Sequence, residues 1–225
     1  MIEYILTRSN RKTASISITK DAEVSVRAPI YMPKREIDRF VLANELWIRQ
    51  RLAHRKNLNS QKAGFKLTYG SRAVLRGKSY PITRGDSPRL FFDGESFTVA
   101  PNLSADEIKF AVKLIYKTEA KREINKTVFE YSKQMGVFPK AVKITEAKKR
   151  WGSCSGKNSL NFSWRLVMAA DDVISYVVVH ELAHIIEHNH SAAFWDVVKK
   201  FMPEYKEAEK ELVKLQKVLS QQDWD

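Results

Sequence analysis

The feature that most constrains this chain is an apolar run at residues 173–179 that leads directly into His-Glu-Leu-Ala-His at residues 180–184. Val, Ile and Tyr side chains cover almost the whole circumference of the helix that this run predicts, so we expect the helix to be buried on most sides. A buried polar group without a partner costs about 2 kcal/mol or more. The histidines and the glutamate therefore need a specific partner, and a metal ion suits them best.

The spacing of the two histidines predicts a metal site with catalytic chemistry. His180 and His184 lie about one helical turn apart, so both imidazoles project from one face and can bind the same ion. Glu181 follows the first histidine directly, and a carboxylate there can accept a proton from a metal-bound water. This arrangement is typical of zinc hydrolases, so we predict Zn²⁺ as the cofactor and Glu181 as the catalytic base.

A catalytic zinc ion needs a third protein ligand and one open position. His188 lies on the same predicted face, but on one continuous helix it would be about 12 Å further along than His180, too far for one ion. His190 can reach the ion if the chain reverses at His188 and Asn189, because asparagine tolerates the left-handed backbone of many helix ends. This spacing matches the metzincin pattern, except that Glu187 stands where that pattern has glycine. We favour His190 as the third metal ligand; the alternatives are Glu204, Glu207 and Glu209.

Three further side chains are candidates for stabilising the negative charge that develops on a substrate carbonyl. They are Tyr176, one turn before His180, together with Arg150 and His188, the last at the rim of the site. Cys154, the single cysteine, is a conceivable nucleophile or fourth ligand, but a fourth protein ligand would close the zinc site. We interpret Cys154 instead as a small residue packed in a loop.

A clear alternation of apolar and polar residues precedes the metal motif and predicts a strand. Leu160, Phe162, Trp164 and Leu166 point one way, and Asn161, Ser163 and Arg165 point the other way. This predicted strand and an earlier strand around Val142 and Ile144 are expected to form a β-hairpin joined by a glycine-containing loop. At a sheet edge its polar face could bind an extended peptide by β-augmentation, which makes Asn161, Ser163 and Arg165 candidate substrate contacts.

Positive charge is concentrated towards the N-terminus. The formal net charge is +13, and residues 1–90 contain 19 Lys and Arg against 7 Asp and Glu, whereas residues 91–225 contain 20 against 19. Apolar residues at helical spacing predict one long amphipathic helix from residue 34 to about residue 56, with Arg49, Arg51 and Arg55 near its polar side. Such a surface suits an anionic partner, with nucleic acid as the leading candidate. A basic but merely solvated surface explains the charge equally well.

Composition limits the class of protein and its compartment. A hydrophobic content of 44% indicates a folded chain, and no apolar run reaches the length of about 18 residues that predicts a membrane span. The first residues lack the apolar core of a signal peptide. A single cysteine excludes an internal disulfide and a cysteine-based zinc ribbon, and it fits a reducing compartment. We expect a cytoplasmic protein; the sequence does not indicate its oligomeric state.

Dense motifs lie between residues 150 and 206. They are residues 151–154 (Trp-Gly-Ser-Cys), 160–162, 164–166, 176–184, 189–191, 194–195 and 203–206. On these motifs the chain resembles the YgjP-like metallopeptidase domain. The resemblance implies a zinc-dependent peptidase fold, with His180, His184 and His190 as metal ligands. It also implies Glu181 as general base and kinship with SprT-like proteases, some of which digest proteins crosslinked to DNA. The chain departs from the family in having serine at residue 163, where asparagine is common, and Ala-Asp in place of Ala-Pro at residues 170–171.

Pattern and resemblance together predict an α+β fold in two lobes. Residues 1–103 form a β-rich, basic N-terminal lobe with one long amphipathic helix. Residues 104–225 form a zincin-like catalytic lobe with a small sheet and the active-site helix that carries the HExxH motif. The predicted function is a zinc metallopeptidase acting on proteins or peptides, with nucleic-acid-associated proteins as one class of substrate. The alternatives are a nucleic-acid-binding protein with a structural or degenerate zinc site, and hydrolysis of a non-peptide amide by the same chemistry.

Overall fold

The structure is a computed structural model that describes residues 2–224. Within these residues the chain divides into two units. The first contains the described residues up to Phe65 together with Leu219–Asp223, and the second contains Lys66–Val218 and Trp224. Six α-helices and three small sheets make up this described part of the chain, so the fold is α+β as predicted.

The first unit contains a three-stranded sheet and two helices. Its elements are β1 (Ile5–Ser9), β2 (Ser15–Ile18), β3 (Val24–Pro29), α1 (Lys34–Ala43) and α2 (Glu45–Gly64). The strand order is β1-β3-β2, with β1 parallel and β2 antiparallel to β3. Alternate residues of β3 share one core with an apolar face of each helix, as the alternation of a strand and the period of a helix require. The buried set is Val24, Val26, Ala28, Ile37, Val41 and Ile48.

The predicted long helix is divided at Asn44, so the prediction of one continuous helix was wrong. The Asn44 side-chain amide donates to the Phe40 carbonyl at 2.8 Å. That carbonyl is the acceptor that the Asn44 backbone N–H would use in a continuous α-helix. The backbone N–H instead donates to the Val41 carbonyl at 3.1 Å. A side chain that competes with the backbone in this way favours the end of a helix.

The second unit begins with a four-stranded sheet. Strands β4 (Arg72–Leu75), β5 (Lys78–Arg84), β6 (Phe91–Phe92) and β7 (Phe97–Val99) lie in the order β4-β5-β7-β6. Arg76 and Gly77, at the tip of the β4–β5 hairpin, have φ angles of 50° and 73°. Their N–H groups donate to the carbonyls of residues 167 and 168 at 2.8 and 3.1 Å. The hairpin is thereby tied to the segment before the metal motif. The two units divide after Phe65, and the division into lobes at residue 103 stays a prediction.

In the sequence, Ser104 with Glu107 three residues later predicts a capping box at a helix start, and Gly136 predicts the end of that helix. Helix α3 (Ala105–Met135) lies between them. Its first turn has the predicted capping box, in which the Ser104 side chain accepts from the Glu107 N–H and the Glu107 carboxylate accepts from the Ser104 N–H. Gly136 ends the helix in the left-handed conformation, with a φ of 69°, which glycine adopts without strain. Helix α3 packs against the helix that carries the metal motif and against the 3-10 helix Trp164–Met168 before it.

The third sheet places a short strand at its edge. Strands β8 (Ala141–Thr145), β9 (Gly152–Cys154) and β10 (Ser159–Ser163) lie in the order β8-β10-β9. Because β10 is parallel to β8 and antiparallel to β9, the predicted hairpin between the first and last of these strands was wrong. The segment between them contributes β9, and the apolar residues from Trp164 onwards continue as the 3-10 helix rather than as strand.

Three further helices follow the third sheet. They are α4 (Asp171–Ile186), α5 (Ala192–Phe201) and α6 (Tyr205–Ser220). Val178, Val179 and Leu182 of α4 are fully buried, which agrees with the expectation of a helix covered on most sides. Among residues 2–224, no helix combines the length and the apolar character that a membrane span requires.

Glu146 connects α3 to the aromatic core of the second unit. Its carboxylate accepts a hydrogen bond from Trp164 Nε1 at 2.8 Å. It also pairs with Lys113 at 3.4 Å and with Lys117. Burial by itself raises the pKa of Glu146, but the hydrogen bonds from Lys117 and Trp164 and the two lysine charges outweigh it and lower the pKa to about 2.

We expect the stabilising contribution of Glu146 to disappear in acid. Its pKa is lower in the folded chain than its ordinary value of 4.5. The contribution is therefore complete above about pH 4.5 and is lost as the pH falls towards 2. Free energies of unfolding in urea should show wild type and Glu146→Gln converging as the pH is lowered. Glu204→Gln, at an exposed position, is the control, and a wild-type advantage over Glu146→Gln that is constant with pH would contradict the prediction.

Candidate metal centre

Three histidines from two parts of the chain meet at one point. His180 and His184 lie on successive turns of α4, which ends at Ile186. Beyond Glu187 the chain bends, and His190 lies beside the two helical histidines. The ligand nitrogens of the three histidines lie within 4.8 Å of one another, and the Nε2 atoms of His180 and His190 are 3.1 Å apart. We call these three residues the histidine cluster.

The chain leaves α4 without the left-handed residue that we expected. Glu187 is extended (φ −129°, ψ 110°), and its N–H still donates to the Ala183 carbonyl at 2.8 Å. The bend falls at His188 and Asn189, but Asn189 is not among the described residues with positive φ. An extended residue at this helix end needs no glycine, which explains why a glutamate can stand where the metzincin pattern has glycine.

The donor set of the histidine cluster fits a zinc ion. His184 Nδ1 lies 3.3 Å from the Glu187 carbonyl oxygen. Since a carbonyl can only accept, Nδ1 carries the proton and Nε2 is left to bind a metal. Burial, followed by the charges of the other two histidines, lowers the pKa of His180 to about 4, so its imidazole is neutral near pH 7. Tetrahedral zinc with Zn–N bonds of about 2.0–2.1 Å separates its ligand atoms by about 3.3 Å, close to the spacing of the two Nε2 atoms.

Phe194 of α5 packs against every member of the histidine cluster. Its ring centroid lies 5.0 Å from His180, 4.6 Å from His184 and 4.7 Å from His190. Ser191 caps α5 by accepting from the Phe194 N–H, so the helix begins directly after the third histidine and places the ring beneath the cluster. The fully buried ring restricts the imidazole orientations. Sequence reasoning missed this role, because helical spacing marks Phe194 only as a core residue.

Glu181 lies beside the histidine cluster, on the side of α4 that packs against β9. It is 5% exposed. Burial raises the pKa of Glu181 to about 7, while the charge of Arg150 and the nearby backbone N–H of Cys154 act in the opposite direction. A pKa near neutrality suits a group that must both accept and release a proton.

A cavity of about 470 Å³ opens onto these groups. Its lining comprises residues 152–156 together with His180, Glu181, His184, His188 and His190. The cavity brings β9, the buried carboxylate and the histidine cluster into one space. The arrangement can hold a divalent metal ion with a proton acceptor next to it.

The family of the chain follows from comparison with known proteins. A family model for the YgjP-like metallopeptidase domain matches residues 12–215. The chain belongs to the YgjP-like metallopeptidase family. This membership confirms the family predicted from the motifs and assigns the chain to the peptidases that use a metal ion.

Two solved structures show limited similarity to this YgjP-like metallopeptidase. One is the metallopeptidase zymogen of Pyrococcus abyssi abylysin, with 23% identity and a TM-score of 0.38 over 40% of this chain and 92% of that one. The other is the metallopeptidase zymogen of Methanocaldococcus jannaschii jannalysin, with 22% identity and a TM-score of 0.37 over 40% of this chain and 94% of that one. Comparison with curated proteins gave no match.

Tyr176 does not line the cavity of this YgjP-like metallopeptidase. Its hydroxyl donates to Glu209 Oε1 at 2.9 Å, and the residue is 4% exposed. The hydroxyl is directed at a carboxylate and not at the cavity, so its position does not favour the transition-state role that was predicted for Tyr176. The same hydrogen bond engages Glu209, and the histidine cluster contains none of the alternative third ligands Glu204, Glu207 and Glu209.

Tyr176→Phe is therefore expected to change stability rather than catalysis. Loss of the hydrogen bond to Glu209 should cost about 1 kcal/mol of unfolding free energy, and kcat/KM should stay within about threefold of wild type. Urea unfolding and hydrolysis of an unfolded protein substrate measure the two effects. A fall in kcat of about a hundredfold with an unchanged KM would restore the catalytic role.

Arg150 and His188 stay predictions as substrate-stabilising residues. Arg150 is exposed, and its charge reaches the Glu181 carboxylate. His188 is exposed and lines the cavity. Cys154 is half-buried, and burial followed by the charge of Glu181 raises the pKa of its thiol. A thiol that keeps its proton is a poor nucleophile, which favours the interpretation of Cys154 as a packed residue.

The predicted substrate strand is not at a sheet edge. Asn161 lies in β10, the central strand, with β8 on one side and β9 on the other. Ser163 is buried and donates to the Ala147 carbonyl at 2.7 Å. Arg165 is buried in the 3-10 helix, with its guanidinium 4.5 Å from the centre of the Trp164 ring. These three side chains support the fold, and the edge strand at the cavity is β9.

The three arginines predicted to contact nucleic acid do not share one face of α2. Arg51 and Arg55 lie one turn apart, whereas Arg49 points in another direction. Arg49 pairs with Glu45 through two nitrogens at 2.8 and 2.6 Å, and Arg55 is half-buried. Arg51 is exposed, and its guanidinium lies 5.8 Å from the centre of the Trp47 ring.

Proposed function

We propose that this chain is a zinc-dependent peptidase in which the histidine cluster binds Zn²⁺ and Glu181 acts as general base. The observation that carries the proposal is the close grouping of three imidazoles, with ligand atoms within 4.8 Å, beside a buried carboxyl group whose pKa is about 7. Both groups face the same cavity. A lone structural zinc site would not need such a proton acceptor.

The roles of the residues follow from this arrangement. When bound, zinc would polarise the substrate carbonyl and lower the pKa of a water molecule. Glu181 accepts a proton from the attacking water as its oxygen bonds to the carbonyl carbon. Glu181 then delivers that proton to the leaving nitrogen as the C–N bond breaks. Arg150 and His188 are the candidates for contacts to the substrate oxygen.

Strand β9 provides the proposed place for the substrate backbone. The backbone groups of Trp151 and Ser155 pair with β10 at 2.8 and 2.9 Å. In an antiparallel ladder neighbouring residues face opposite edges, so Gly152 and Cys154 face away from β10. Within residues 2–224, no strand pairs with that edge. The Cys154 N–H lies near the Glu181 carboxylate, so an extended peptide would bind through the other main-chain groups of that edge, with little preference for sequence.

Metal removal tests the proposed function. Purified protein is expected to hold about one zinc per chain and to cleave an unfolded protein. A chelator should abolish cleavage, and added zinc should restore it. Mass spectrometry of the products distinguishes new peptide ends from hydrolysis of a non-peptide amide. Zinc-loaded protein that cleaves nothing, with or without nucleic acid present, would contradict the proposal.

The first unit supports a second proposal, nucleic-acid binding through α2. Trp47 is 39% exposed, and Arg51 lies over its ring. An exposed aromatic ring next to a guanidinium provides a surface on which a base can stack, with a positive charge for the phosphate backbone. Proteins associated with nucleic acid would then be substrates of the peptidase.

Salt dependence and a pair of arginine variants test this second proposal. Affinity for single-stranded DNA should fall steeply with salt. Arg51→Ala should weaken binding and reduce the slope of log affinity against log salt by about one. Arg49→Ala is the matched control, because Arg49 is already paired with Glu45. Binding that is absent, or that does not change with salt, would remove nucleic acid as a partner.

A further inference from the structure

We propose that β9 sets the position of the Glu181 carboxylate, with Gly152 as a positioning residue and the Cys154 amide as the donor that holds it. This inference rests on the proposed role of Glu181 as general base. Gly152 and Cys154 face the same edge of β9, and both meet the one buried carboxylate of the cavity. We call this pair of residues the β9 cradle.

The space above Gly152 is filled by the Glu181 side chain. A Cβ atom added to Gly152 would lie 2.5 Å from Glu181 Oε1, 2.6 Å from Cγ and 2.8 Å from Cδ. Such distances are far below van der Waals contact, so any larger residue must displace its neighbour. The displaced atoms belong to the Glu181 side chain and not to the backbone. An alanine would therefore move the carboxylate rather than unfold the sheet.

Backbone conformation does not explain the glycine. The described glycines with positive φ are Gly70, Gly77, Gly94 and Gly136, so Gly152 has a backbone that other residues can adopt. What the position requires is the absence of a side chain. The Cys154 N–H lies near the same carboxylate, and in this proposal it supplies the second half of the cradle as a hydrogen-bond donor.

A displaced Glu181 carboxylate should be a poorer general base. Glu181 is 5% exposed, and Leu182 beside it on α4 is fully buried, so the helix is held by its own packing. A general base must lie within hydrogen-bond reach of the proton that it accepts. A displacement of about 1 Å can cost about a hundredfold in rate.

Gly152→Ala is expected to lower kcat by about 10–100-fold with KM and zinc content unchanged. Gly156→Ala is the matched control, because Gly156 lines the same cavity and a Cβ there would meet nothing within 4 Å. The Glu181→Ala background provides a second check. That change removes all three side-chain atoms that the added Cβ would meet, so Gly152→Ala should cost little of the residual activity there and the two changes should be strongly non-additive. Equal losses on both backgrounds would overturn the inference.

Hydrogen exchange at the Cys154 amide tests the β9 cradle without any activity. The amide should exchange at least about tenfold faster in Gly152→Ala than in wild type or Gly156→Ala, because its acceptor has moved. If Gly152→Ala does not fold, Glu181→Ala removes the same acceptor from the other side and should give the same result. Unchanged exchange in the folded variants would overturn the inference. If the wild-type protein is inactive but shows the expected exchange pattern, the result supports the β9 cradle and contradicts only the proposed function.

Discussion

Glu181→Gln is expected to abolish peptide hydrolysis and to leave the zinc site intact. Glutamine has nearly the shape of glutamate, and its side-chain oxygen can still accept from the nearby Cys154 N–H. The amide cannot accept a proton from water. Proton transfer by a positioned side chain contributes about 10²–10⁴-fold to a rate, and we expect kcat to fall by about that factor.

Zinc content and stability separate this loss from damage to the fold. Burial raises the pKa of Glu181, and a neutral amide costs less to bury than a carboxylate, so Tm should be unchanged or higher. Metal analysis, kcat on an unfolded protein and thermal unfolding measure the three quantities. Glu187→Gln is a nearby control, because Glu187 is outside the cavity lining. A Glu181→Gln protein with bound zinc and wild-type kcat would exclude Glu181 as the base.

His190→Ala should lose zinc without unfolding the chain. His190 lies between α4 and α5 and is exposed, so its truncation leaves the buried faces of both helices in place. Loss of a partner that only orients a ligand costs about 10–100-fold in metal affinity, and loss of the ligand itself should cost more. Zinc should raise the Tm of the wild type and have little effect on that of the variant.

His188→Ala is the matched control for the third ligand. His188 is exposed and lines the same cavity, but it is outside the histidine cluster. The zinc affinity of His188→Ala should stay within about threefold of wild type, whereas His190→Ala should not bind zinc at micromolar concentrations. Competition with a chromogenic chelator measures both affinities. Zinc loss in His188→Ala with retention in His190→Ala would contradict the ligand assignment.

Local patterns predicted the elements whose causes are local. The capping box and terminal glycine of α3 were readable because Ser104, Glu107 and Gly136 act within one or two turns of the helix ends. The break at Asn44 was missed, since apolar residues keep their helical spacing across it. What ends α1 is a side-chain hydrogen bond to Phe40, and a periodicity of apolar residues does not record it.

Strand pairing was the weakest part of the prediction. Alternation indicated a strand at β10, but it did not tell which strand would be its neighbour. The residues before it contain β9, a strand of only Gly152–Cys154, which is too short for alternation to be recognised. The polar side chains Asn161, Ser163 and Arg165 therefore looked like an exposed face, although Ser163 and Arg165 are buried.

The sequence by itself determined the chemistry at the centre of this protein. His180, Glu181 and His184 lie within one turn or so of a helix, and the helical period alone brings the two imidazoles together. Only the tertiary structure decided that His190 lies beside these two imidazoles and that Tyr176 donates a hydrogen bond to Glu209. It also decided that Gly152 lies against Glu181. Those contacts join residues on different elements. The packing of α4 against its neighbours creates them, and neither spacing nor composition encodes that packing.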